Sequence, residues 1–193
     1  MVAMNANPWS ALKFTIVLPP RGQARARAMV LQDKAGNPIR DGRTGRCVII
    51  HHKDKTQEQD EKKLEALMMQ HRPDKPLDGP IKLGVRAVFP IPQSMPEAFK
   101  SMAPEKGKAA WFREAARSGE VQPVSKPDLD NIIKHVKDCA TGVFWPDDKS
   151  VVGYLNDTGK YYGDPPRYEI TILYRRDLNG FEGVNTDESG GGL

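Results

Sequence analysis

The stretch KPDLDNIIKHVKD, residues 126–138, decides how the rest of the chain is read. Pro127 disfavours helical backbone at Lys126, and Asp128 stands where a helix N-cap belongs. At about 100° per residue, Ile132, Ile133, Val136 and Ala140 fall on one side of the helix that follows. Asp130, Asn131, Lys134 and Asp138 fall on the other. The predicted helix, residues 128–140, therefore buries an aliphatic face and presents carboxylates and a lysine to whatever lies above it.

Asp128 and Asp130 bracket its first turn, which lets their oxygens converge on one point. A cation at that point would relieve their repulsion, and Lys134, one turn past Asp130, offers a positive charge to a phosphate. Magnesium suits such a place, because it takes a few carboxylates, several waters and phosphate oxygens. A second acidic pair, Asp147-Asp148, lies in FWPDDKSVV just ahead of a predicted strand at residues 151–155. If that strand packs beside the helix, Asp148 adds a third carboxylate, and such a set can serve phosphodiester hydrolysis.

Each element also has an ordinary reading. A lone Asp128 is more often a helix cap, and Asp147-Asp148 more often a turn. Asp130 with Lys134 is, taken alone, a surface pair worth roughly 0.2–0.5 kcal/mol. Spacing leaves both readings open. An EF-hand is excluded by Ile133 where that loop needs glycine and Cys139 where it needs glutamate. Cys47 with His51 and His52 lacks the second ligand pair of a zinc site.

Working outward, residues 14–18 (FTIVL), 81–88 (IKLGVRAV) and 168–174 read as strands, and 47–50 (CVII) as a short one. Alternation in 81–88 suits a strand with one buried face. Thr56 and Gln59 look like a capping box, opening a helix whose Leu64, Leu67, Met68 and His71 share a face. Between residues 21 and 46, seven arginines and lysines face two aspartates across glycines and Pro38, which reads as a loop or loose hairpin. Residues 94–122 read as a helical insertion, one helix starting near Ser94 to Glu97 and another over 105–118, either a mobile arm or a solvated surface helix. Residues 178–193 lack apolar periodicity and read as a disordered tail, leaving one domain over residues 1–177.

At 193 residues and 38% hydrophobic content the chain can bury one core. A net charge of +4 permits nucleic-acid binding without demanding it. Two cysteines make no disulfide framework, and no apolar run is long enough for a membrane span, so the expected setting is cytoplasmic.

Three stretches in order, KPDLDNIIKHVKD, GVFWPDDKSVVGY and KYYGDPPRYEITI, resemble the RusA-type Holliday junction resolvases. The resemblance covers residues 126–174, with FTIVLPP and IPQSMP agreeing more weakly. It implies a single small α+β domain, a mixed β-sheet with helices packed on it. It implies a magnesium-dependent homodimer, with manganese as a substitute, that nicks four-way DNA junctions symmetrically. The family's metal-binding aspartates match Asp128, Asp130 and Asp148, its essential lysine matches Lys134, and Asp147 matches a neighbouring acid of secondary role. Members are common in phages. The resemblance also gives Arg21, Arg25, Arg27, Arg43 and Lys126 a use as phosphate contacts that position DNA without reading its sequence. Phe144-Trp145 would either stack on bases at the branch point or pack beneath the acidic turn.

Overall fold

A nine-residue strand, β4 (Ile81–Phe89), forms the spine of the computed structural model. The structure describes residues 8–23, 27–52 and 55–175, without the side chains of Arg27, His51, His52 and Lys55. On one flank β4 pairs antiparallel with β7 (Arg167–Arg175), which pairs antiparallel with β1 (Trp9–Ile16). On the other flank two short strands run parallel to it in succession. β5 (Val151–Tyr154) follows the first part of β4 and β6 (Gly159–Tyr162) follows its last four residues. The Leu155–Thr158 turn between them stays tied to β4, because Leu155 N–H donates to the Leu83 carbonyl at 3.0 Å. The leucine covers Gly84 so closely that a β-carbon there would lie 2.9 Å from Leu155 Cδ1. The sheet is therefore mixed, and the domain is α+β.

α1 (Lys55–Met68) and α3 (Leu129–Ala140) pack together over one face of this sheet. Ile132 and Val136 of α3 and Leu64 and Met68 of α1 are fully buried. Each such side chain contributes about 1.5–3 kcal/mol relative to leaving it in water. Phe14 stacks on His71 at 4.7 Å and on Phe144 at 5.2 Å. Phe144 and Trp145 are fully buried, so the pair is core packing beneath the acidic turn and has no face to offer a base.

Pairing moved several boundaries. β1 begins at Trp9, ahead of residues 14–18, because β7 continues alongside it to Arg175. The short strand near Cys47 is β3 (Ile49–His52), which pairs with β2 (Arg27–Val30); the basic stretch is a two-stranded ribbon, largely exposed. α1 starts at Lys55, so Thr56 lies inside the helix rather than at its cap. One face of β4 (Ile81, Leu83, Val85 and Ala87) is buried as the alternation implied, while the other face leaves Lys82 exposed and Arg86 half-buried and is covered by Leu155 around Gly84. The helix expected from residue 105 is α2 (Lys108–Ser118), since Gly107 has φ +73°, outside helical backbone. The start expected near Ser94 is only a 3-10 turn, Glu97–Phe99. Most of α2 is exposed, as expected of a surface helix, but one face of it is buried. Phe99, Phe112, Ala115, Ala116 and Val121 form a second small core, against which Tyr162 of β6 also packs. The expected tail falls outside the described residues.

Candidate active site

The entrance to α3 carries the side chains that sequence singled out. Asp128 holds the N-cap position with extended backbone, φ −69° and ψ 149°, yet its side chain makes no capping hydrogen bond. Asp130 sits in the first turn, where the positive end of the helix dipole favours a carboxylate. Lys134 stands one turn further on. Asp128, Asp130 and Lys134 are all exposed, and Asp130 and Lys134 form no ion pair among the described residues. The cap and the surface pair that would have explained these side chains are both missing.

Asp148 comes to the same helical face further along. Lys137, on the stripe that runs Asp130, Lys134, Lys137, reaches it with Nζ–Oδ2 at 3.2 Å. Seven residues of helix separate Asp130 from Lys137, roughly 10 Å of axial rise. Accordingly, no group of three histidine, cysteine or acidic side chains among the described residues is gathered tightly enough to hold a metal ion. Asp147 is spent locally. It accepts from Lys149 N–H at 3.0 Å and pairs with Lys149 Nζ at 3.3 Å. The backbone bond, before the ammonium, holds its carboxyl below the usual carboxylate range.

Beside the helix entrance lies a cleft of about 630 Å³, bounded by residues 19–23, Phe89, residues 126–128 and Asn131. Its wall is stapled to α3. Gln23 N–H donates to the Asn131 carbonyl at 3.0 Å, and Gln23 Nε2 to Asp138 Oδ2 at 2.5 Å. Gly22 allows the approach: a β-carbon there would sit 2.6 Å from Pro127 Cβ. Tyr168 anchors the same loop from below, its hydroxyl accepting from Arg21 N–H at 2.6 Å. Burial pushes that phenol far above its ordinary range.

Of the residues expected to touch phosphates, Arg21 and Lys126 line this cleft and are exposed, Arg21 lying 3.7 Å from Asp60. Arg43 is exposed in the turn beyond β2, held by Asp41, which accepts from its N–H at 3.0 Å. Arg27 lies in β2 and Arg25 outside the described residues. Sequence reasoning missed Gln23, Lys137 and Lys160. Lys137 had a signal, its heptad spacing from Asp130; the other two are brought here by tertiary contacts alone.

The carboxylates suit a hard divalent cation in kind. Asp128 and Asp130 are two exposed oxygen donors at one helix end, which matches magnesium's habit of taking one or two carboxylates and completing its shell with water and phosphate. Asp148, held by Lys137, is a third donor of the same chemistry.

The family model described as "Endodeoxyribonuclease RusA" matches residues 19–173, from the cleft loop into the last strand. The chain is 30% identical over 162 residues to "Uncharacterized protein YqaN" of Bacillus subtilis (strain 168), covering 83% of this chain and 94% of that protein.

Proposed function

The chain belongs to the RusA endodeoxyribonuclease family, and on that premise we propose that it hydrolyses phosphodiester bonds in branched DNA, resolving four-way junctions. The observation that carries this reading is the exposed set of Asp128, Asp130 and Lys134 at the start of α3, opening beside a cleft whose rim holds Arg21 and Lys126. Asp128 and Asp130 would hold a magnesium ion, and Asp148, which the family resemblance adds as a further ligand, would have to leave Lys137 to join them. When bound, the ion lowers the pKa of a bound water and stabilises charge building on the phosphate.

The protein's own groups do the rest. Lys134 presents its ammonium to the reacting phosphate and balances charge as the phosphorus gains a fifth oxygen. Arg21 and Lys126 hold flanking phosphates and so set which bond faces the carboxylates. Two such sites in a homodimer would give paired nicks on opposite strands, and manganese would substitute for magnesium.

The deciding experiment is cleavage of a labelled four-way junction beside a linear duplex and a flap, with magnesium and then with EDTA. Paired nicks in the junction alone, abolished by EDTA, are expected. Cutting confined to the flap would move the substrate to another branched form. Junction binding without any cutting would make the chain a DNA-binding module instead.

A further inference from the structure

Lys160 reaches across from the sheet to the loop that feeds α3. Its Nζ donates to the Ser125 carbonyl at 2.5 Å and to the Pro127 carbonyl at 3.2 Å. Its own strand is held by pairing with β4, Lys160 standing opposite Ala87, so the anchor is the rigid spine of the domain. The carboxylate of Asp128, next in chain after Pro127, is its charged neighbour. Burial draws the ammonium below the ordinary lysine range, and Asp128 works in the opposite direction. Asp128 lacks a capping bond to fix its side chain, so its placement depends on what holds the preceding backbone.

We propose that Lys160 is a positioning residue of this site: by clamping the carbonyls of Ser125 and Pro127 to the sheet, it fixes where the Asp128 carboxylate stands and how tightly Asp128 and Asp130 take a divalent cation. The inference rests on the nuclease reading above. Lys160 acts through Asp128 and makes no contact with the reacting phosphate. Loss of a group that orients a metal ligand costs about 10- to 100-fold in metal affinity or activity.

The test compares wild type with Lys160→Met, which keeps the aliphatic stem, and Lys160→Arg, which keeps a charged donor. Backbone amide signals of residues 125–131 are followed during a Mg2+ titration of the DNA-free protein, and junction cleavage is measured with excess Mg2+. In Lys160→Met the half-saturating Mg2+ concentration should rise about 10- to 100-fold. Its kcat should fall while KM for the junction stays within roughly twofold, the mark of a lost transition-state contribution rather than of weaker substrate binding. Lys160→Arg should recover most of both. Wild-type Mg2+ response and kcat in Lys160→Met would overturn the inference, and so would failure of Lys160→Arg to restore them. A wild-type chain that neither responds to Mg2+ nor cuts would overturn the nuclease reading, and this inference with it.

Discussion

At the scale of single residues, the informative fact is what Asp128, Asp130 and Lys134 do not do. A cap that forms no capping bond and a lysine one turn from an aspartate that forms no pair are side chains kept available. Asp130→Asn is expected to reduce junction cleavage by on the order of 100-fold or more, because a metal ligand should cost at least as much as the groups that orient it. Junction affinity in EDTA, read by gel shift, should hold or tighten, since a negative charge facing phosphate is gone. Cleavage at the wild-type rate would remove Asp130 from the metal site. Lys134→Ala should also lose activity, while its thermal midpoint and circular dichroism stay close to wild type. Exposed substitutions of this kind usually change stability by no more than about 0.5 kcal/mol; a collapse of the far-ultraviolet signal would instead make the lysine structural.

At the scale of elements, two packings have consequences of their own. The 19–23 loop lies against α3 only because Gly22 has no side chain. Gly22→Ala should push the loop off Pro127, loosening the Gln23 bonds to Asn131 and Asp138, at a cost of about 1–3 kcal/mol typical of overpacking. Urea unfolding measures that cost, and an unchanged midpoint would mean the loop is free to shift. The insertion is a folded unit with its own core. Phe112, which stacks on Phe99 at 5.7 Å and meets Tyr162 edge-on at 5.8 Å, is its centre. Phe112→Ala should lose about 3–5 kcal/mol. Protection from hydrogen exchange should fall over α2 first, with α3 following less; loss spread evenly over the domain would show that the two cores unfold as one.

At the scale of the whole molecule, a net charge of +4 is small, so grip on DNA must come from where the cations sit. Some are neutralised within the fold. Arg86 and Arg167 both pair with Glu169, at 2.9 and 2.7 Å. Arg21 and Lys126 face the cleft. Replacing either by alanine should weaken junction and duplex binding alike and lower the slope of log affinity against log salt by about one. An unchanged slope would take that residue off the phosphate path.

The residues from Lys126 to Asp138 determined much by themselves. Helical periodicity marked α3, its buried Ile132 and Val136, and the exposed stripe with Asp130 and Lys134, because a period of about 3.6 residues is a local property of the chain. The same period also puts His135 and Cys139 on the stripe of Ile132 and Val136, where both are buried, whereas Ile133, expected on that side, lies at its edge and is half-buried. The polar side chains of His135 and Cys139 hid them from a reading that looked for aliphatic residues. That signal could not show β6, four residues whose strand character comes from the half of β4 that β5 leaves unpaired. For the candidate site, the acids and the lysine were legible as residue types at a spacing. What surrounds them was not. That Asp148 is held by Lys137, that Gln23 closes on Asp138, and that Lys160 reaches from the sheet to the carbonyls before Asp128 are contacts between segments distant in sequence. Only the tertiary structure decided them, because hydrogen bonds and ion pairs act over a few ångströms of space and leave no period in the chain.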